Sequence, residues 1–187
     1  MRYARSFLSL TLLVCLTATC ALAQQAAPLR SPDVIFVPTP PDVVDAMLKL
    51  AGVHTGDVVY DLGCGNGRIV VAAAKQYGVH AVGIDIDPVR VAEANEAIKT
   101  AGVANLVTIR NEDMFEANIK EATVVTLYLL NSLNVKLKPK LLRELKPGTR
   151  IVSQTFDMGD WEPEKRESVN GYNIFLWRVP EGDAQKK

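Results

Sequence analysis

Apolar positions change period several times along the chain, and each change marks an element. Val43, Val44, Met47, Leu48 and Ala51 fall at helical spacing, with Gly52 beyond them as a stop. Thr39 stands as the expected N-cap, with Pro40 and Pro41 in the first turn, where a missing amide proton costs nothing. Val58-Val59-Tyr60-Asp61-Leu62 reads as a buried strand that runs into Gly63-Cys64-Gly65-Asn66-Gly67 and then a helix over 69–77. Further strands are expected at 81–85, 107–110, 122–130 and 150–156. Between them lie a helix opened by Asp87-Pro88 and ended by Gly102, and another over 139–145 with Pro139 in its first turn. Alternation of this kind predicts a parallel sheet covered by helices on both faces. The end of the chain differs: apolar runs at 167–169 and 172–179 flank Asn170-Gly171, a strong hairpin signal, and only the loop 157–164 precedes them.

The first 23 residues stand apart from this pattern. Arg2 and Arg5 precede a mostly apolar run from Phe7 to Leu16, and Ala21-Leu22-Ala23 follows. That is the layout of a secretory signal peptide, cut after Ala23, so export to the periplasm or medium is expected; an uncleaved membrane anchor is the alternative. Residues 24–38, rich in Gln, Ala and Pro, read as a linker in which Val34-Ile35-Phe36-Val37 forms an apolar patch able to pack on the domain. The domain itself is expected over 39–180, with 181–187 as a flexible tail. At 187 residues a single domain with a packed core is the sensible expectation.

Formal charge is balanced, 21 basic residues against 21 acidic, which argues against a nucleic-acid partner held by bulk electrostatics. The basic run Lys136, Lys138, Lys140 and Arg143 reads first as a solvated face. His54 and His80 lack metal-ligand spacing. Of three cysteines, Cys15 and Cys20 lie in the signal-like segment, so a processed chain keeps only Cys64 and forms no internal disulfide. Its place in the glycine turn suits a small packing residue.

The chemistry concentrates at strand ends. A dinucleotide fingerprint counted from Gly63 needs a third glycine at position 68, where Arg68 stands, and Asp61 precedes the first glycine by two. This spacing resembles motif I of the Rossmann-like methyltransferases that use S-adenosylmethionine. Asp85 ends the second strand about 20 residues beyond the turn, where a carboxylate can accept hydrogen bonds from ribose hydroxyls. Asp113 follows the third strand and matches the acid that contacts adenine in that superfamily. The resemblance implies a mostly parallel seven-stranded sheet ending in an antiparallel hairpin. It also implies S-adenosylmethionine held by Asp61, Gly63, Gly65, Gly67, Asp85, Ile86, Asp113 and Met114, with Thr39 at the amino-acid end of the cofactor.

The sulfonium is an activated methyl donor, so the protein must chiefly position a nucleophile behind the methyl group. That acceptor site is expected beyond the fourth and fifth strands. Strand four ends Tyr128-Leu129-Leu130-Asn131-Ser132 and lacks the Asn/Asp-Pro-Pro-aromatic step of enzymes acting on planar amides or base nitrogens. Strand five leads into Phe156-Asp157-Met158-Gly159-Asp160-Trp161, an aromatic and acidic segment suited to an amine. Tyr128, Asn131 and Asp157 are the candidate catalytic residues.

Residues 36–161 resemble one group more closely: bacterial relatives of the mitochondrial ATP-synthase c-subunit lysine methyltransferase family. The resemblance rests on Val37-Pro38-Thr39-Pro40, Val44 with Met47-Leu48, Asp61-Leu62-Gly63 with Gly65, Gly67-Arg68-Ile69-Val70, Leu141 to Leu145, Phe156 and Trp161. It implies methyl transfer to a protein lysine. A small-molecule acceptor and a non-catalytic cofactor-binding module are the alternatives, and membrane association is a further expectation drawn from the family. The chain departs from the family at Cys64, Asn66 and Asp85, where serine, aspartate and glutamate are usual. It departs again at Gln154-Thr155-Phe156-Asp157-Met158, where the family has an Arg-Phe-Pro-aromatic segment.

Overall fold

The computed structural model describes residues 29–181. The signal-like segment 1–23, the start of the linker and nearly all of the tail lie outside the described residues. Among those described, the elements run α1 (Pro41–Leu50), β1 (Val58–Leu62), α2 (Arg68–Tyr77), β2 (His80–Asp85), α3 (Pro88–Ala101), β3 (Val107–Asn111), β4 (Val124–Leu127), α4 (Asn131–Glu144), β5 (Arg150–Gln154), β6 (Lys165–Val169) and β7 (Tyr172–Arg178). They form one seven-stranded sheet of order β3-β2-β1-β4-β5-β7-β6. The first five strands pair in parallel and β7 pairs antiparallel to β5 and β6. The chain order reverses between β1 and β4, so the crevice outside their carboxyl ends is where an open α/β sheet binds ligands.

Each central strand is buried on both sides because the sheet separates two apolar layers. Val59, Val124 and Val152 pack with Val43, Met47 and Leu48 of α1 and Val70 and Ala73 of α2. Tyr60, Leu62, Val125, Leu127 and Ile151 face the other way, onto Leu133, Leu137 and Leu141 of α4. The strands thus read as apolar runs rather than as an alternation. The hairpin forms as expected: Asn170 (φ 48) and Gly171 (φ 85) both adopt positive φ, which a two-residue loop matched to strand twist requires. No helix intervenes between β5 and β6.

Three expectations are corrected. The α1 N-cap is Pro40, and no side chain caps that helix; the Thr39 carbonyl instead accepts a hydrogen bond from Arg68 Nη1 at 2.7 Å. The last helix begins at Asn131 and carries Pro139 inside it. An interior proline costs about 3 kcal/mol, but Leu133, Leu137 and Leu141 bury a stripe across its position. Pro139 itself is exposed, so water can serve the carbonyl it leaves unpaired. The fourth strand is also shorter than expected, because 128–130 leaves the sheet to enter α4.

The amino ends of the strands carry a closed polar network. Asp57, buried just before β1, accepts hydrogen bonds from the Thr123 hydroxyl (2.7 Å) and the His54 amide (2.9 Å), and pairs with Arg150 at the start of β5. Burial pushes the Asp57 carboxyl up, but these donors outweigh it and hold it below the usual carboxylate range. A depressed pKa adds stability above the unfolded value, and that stability is lost as pH falls through the folded value. Asp57→Ala is expected to cost about 3 kcal/mol in urea unfolding at pH 7, with a smaller loss under acid. Because the network sits opposite the glycine turn, ligand affinity of the folded variant should stay at the wild-type value.

Candidate active site

The glycine turn is held by the end of the neighbouring strand. The amides of Gly63 and Cys64 both donate to the Ile84 carbonyl, at 2.8 and 3.0 Å. Asp85 Oδ2 accepts from the Gly65 amide (2.7 Å) and Oδ1 from the Asp87 amide (2.9 Å). Each oxygen keeps a lone pair for a further donor, as a ribose-binding acid needs. Gly67 has φ 76, and a Cβ there would stand 3.0 Å from the Ala94 Cβ of α3. The turn is therefore restricted to glycine both by conformation and by helix packing. Cys64 is buried, and burial first, with the Asp61 and Asp85 charges after it, pushes its thiol far up, which leaves it inert as a nucleophile.

Asp61 is the most consequential group. It lies on β1 beside Thr126 of β4, whose hydroxyl donates to Oδ1 at 2.8 Å. The residue is 2% exposed, and no cation is among the groups that set its protonation. Burial, opposed by the Thr126 hydrogen bond and reinforced by the Asp85 charge, raises its pKa to about 7. A buried carboxyl without a cationic partner is matched by an ammonium-bearing ligand.

A cavity of about 420 Å³ opens over these residues. Thr39, Asp61, Gly63, Asp85, Ile86, Asp113, Met114 and Tyr128 all line it, which brings together eight of the candidates singled out in the sequence. Gly65 and Gly67 shape the turn beneath rather than the lining. Asn131 and Asp157 are not part of the lining; they pair with each other through the Asn131 amide and the Asp157 carboxylate.

One wall of the cavity comes from the segment before α1. Arg30 forks onto Asp113, Nε to Oδ2 at 2.6 Å and Nη2 to Oδ1 at 3.1 Å, while its Nη1 reaches Asp33 at 2.6 Å. Burial pushes the Asp113 carboxyl up, but Arg30 and the Phe115 amide together hold it below its ordinary range. Phe36 lies against Gly65, where a Cβ would fall 2.3 Å from its ring, and Arg90 stacks on the ring at 4.9 Å. Sequence reasoning missed Arg30, Phe36 and Arg68 as site residues. The apolar patch 34–37 was a signal for the wall, but nothing local tied Arg30 to an acid 83 positions away.

The comparisons with known proteins agree with this geometry. A family model described as the ANTKMT methyltransferase domain matches residues 61–165. The chain belongs to this methyltransferase family. A protein-lysine N-methyltransferase of Saccharolobus islandicus is 48% identical over 144 residues, 76% of this chain and 89% of the relative. The human ATP-synthase c-subunit lysine N-methyltransferase is 29% identical over 129 residues, 69% of this chain but 54% of the relative, so the chain spans about half of that protein. A crystallised RNA methyltransferase of Salinibacter ruber, solved with S-adenosyl-L-homocysteine, is 54% identical and superposes with a TM-score of 0.77 over 78% of this chain and 95% of its own. The buried Asp61, the free lone pairs of Asp85 and the glycine turn fit S-adenosylmethionine, the cofactor expected from the sequence.

The raised pKa of Asp61 gives a signed test. Below pH 7 the carboxyl binds a proton that an ammonium ligand must displace, so affinity for S-adenosylhomocysteine in calorimetry is expected to fall about tenfold from pH 8 to pH 6. Asp61→Asn should bind weakly and without that slope. Because the folded pKa lies above the unfolded value of 3.8, stability from this group is present at low pH and lost as pH rises through about 7. The ligand-free Asn variant should therefore have a higher Tm than wild type at pH 8.

Proposed function

We propose that this chain transfers the methyl group of S-adenosylmethionine to the side-chain amine of a protein lysine. The observation that carries the reading is near-full-length likeness: at 48% identity the chain spans 89% of a protein-lysine N-methyltransferase. The site supports it. S-adenosylmethionine, when bound, supplies an electrophilic methyl on sulfur. Asp61 takes the ammonium and Asp85 the ribose, and the backbone of the glycine turn allows close approach. Acceptor nitrogen attack forms the N–C bond as the C–S bond breaks with its electron pair going to sulfur; S-adenosylhomocysteine and one amine proton leave. Tyr128 stacks on Phe156 with ring centroids 6.3 Å apart, and this aromatic wall beside the cavity disfavours the charged form of an entering lysine.

The Salinibacter relative raises RNA as a second reading. Charge placement favours protein. The basic run on α4 is committed internally: Lys138 pairs with Asp160 at 2.6 Å, and Lys140 and Arg143 both pair with Glu144, at 2.9 and 3.0 Å. Lys136 lies 3.9 Å from the Phe115 ring centroid. A phosphate backbone would have to break these contacts to be held there. The step after β4 also lacks the Asn/Asp-Pro-Pro-aromatic pattern of base-nitrogen enzymes.

Methyl-tritiated S-adenosylmethionine, purified protein and extract of the source cell test the reading. Label is expected in protein, resistant to ribonuclease and recovered as methyllysine after acid hydrolysis, and absent with Gly65→Arg. Label lost to ribonuclease would establish RNA instead; label only in small molecules would move the acceptor there; no transfer alongside retained S-adenosylhomocysteine binding would make the chain a binding module. Export through residues 1–23 is part of the same proposal, and cell fractionation should find a shortened chain outside the cytosol. A full-length cytosolic chain would remove export and leave the enzymatic reading intact.

A further inference from the structure

Among the described residues, three buried side-chain polar atoms lack a hydrogen-bond partner, and all belong to the end of β5 and its support. They are both amide atoms of Gln154 and Oδ1 of Asn134. Gln154 is 0% exposed. A buried amide with neither atom paired is costly, and its persistence calls for a ligand or a role.

Its surroundings point to an amine-bearing acceptor. Gln154 closes β5 opposite Ile174 of β7. Parallel pairing of β4 with β5 ends at Leu127 and Ser153; Tyr128 and Gln154 are the next residues of the two strands' chain segments, just past the paired register. Alternation along β5 puts Gln154 on the face of Val152, the layer that α1 covers. Tyr128 lines the cavity and stacks on Phe156. Tyr172 opens β7 at this end of the sheet and remains partly exposed, and its phenol, after burial, helps push the Tyr128 hydroxyl up. Three aromatic residues thus lie within a few positions of Gln154 in the register of β4, β5 and β7.

The backbone there is held out of its resting form. Thr155 has φ 67, a left-handed conformation that strains a β-branched residue. Its amide donates to the Asn173 carbonyl at 2.7 Å, and the Phe156 amide turns back to the Gln154 carbonyl at 2.8 Å. From the opposite layer the Asn134 amide grips Ser153 Oγ and the carbonyls of Phe156 and Asp157, at 3.1, 3.0 and 3.1 Å. These contacts fix the backbone from Ser153 to Asp157 in one arrangement.

We propose that Gln154 positions the acceptor, its carboxamide oxygen accepting a hydrogen bond from the ε-amine of a lysine that enters between Tyr128, Phe156 and Tyr172. The inference rests on the protein-lysine reading above. An acceptor on the oxygen orients the amine's N–H and leaves its lone pair for the methyl group, while the rings exclude water and favour the neutral amine.

Gln154→Met tests it, because a thioether side chain keeps the volume and removes the orphan amide. The variant is expected to keep wild-type affinity for S-adenosylhomocysteine in calorimetry and an equal or higher Tm, while methyllysine formed from tritiated S-adenosylmethionine and extract protein drops at least tenfold. A second variant on the partly exposed rim, Tyr172→Ala, should lower methyllysine at least threefold and decides the question if Gln154→Met does not fold. Wild-type labelling with folded Gln154→Met overturns the inference and leaves the lysine reading standing. Absence of methyllysine with the unmodified protein, despite S-adenosylhomocysteine binding, overturns both.

Discussion

Two amides converging on one carbonyl set the geometry of this protein. Gly63 and Cys64 both donate to Ile84, and Asp85 next to it takes the Gly65 amide. The end of β2 thereby holds the turn that leaves β1. Everything around the turn is shaped to permit the contact: Gly83 on β2 has no side chain because a Cβ there would stand 2.7 Å from Cys64 Sγ, and Gly67 lets α3 approach as closely as Ala94. With the turn fixed, Asp61 is carried two residues upstream into the sheet interior, where burial raises its pKa and the Asp85 charge adds to the rise.

The two ends of the sheet contrast in polar accounting. At the amino ends, Asp57, Thr123 and Arg150 satisfy one another, and the Asp57 carboxyl is held low. At the carboxyl ends, among the described residues, Asp61 has no cation, the Gln154 carboxamide has no partner and Thr155 sits in a left-handed conformation. Folding alone would select against all three. Their concentration at one end of the sheet, around the crevice where the strand order reverses, is the pattern expected when stability is exchanged for binding and catalysis.

The sheet, the hairpin and the cofactor half of the site were legible because their signals are local. Positive-φ glycines, an acid at each of three strand ends and Asn170-Gly171 each constrain the chain within a few residues. What escaped was decided by tertiary contact. Pro139 reads locally as a helix start, yet the stripe Leu133, Leu137, Leu141 extends α4 through it. Thr39 reads as a cap, yet its carbonyl is taken by Arg68 of α2. Arg30 meets Asp113 across most of the domain. Asn134 and Gln154, a polar residue on an apolar helix face and another at a strand end, stand out only when burial and missing partners are seen together.

Cofactor and acceptor halves of the site draw on different strands, and α4 joins them. In the proposed assignment the ends of β1, β2 and β3 supply Asp61, Asp85 and Asp113 to the cofactor half, while the ends of β4 and β5 and the start of β7 supply Tyr128, Gln154 and Tyr172 to the acceptor half. Leu133 of α4 lines the cavity, and one residue on, Asn134 secures the loop after β5. A break in α4 at this turn would uncouple the halves, so the first turns need an unbroken buried face. Pro139 falls beyond them and on the exposed side, where its missing hydrogen bond faces water. The helix therefore tolerates its one irregularity at a place where neither half of the site depends on it.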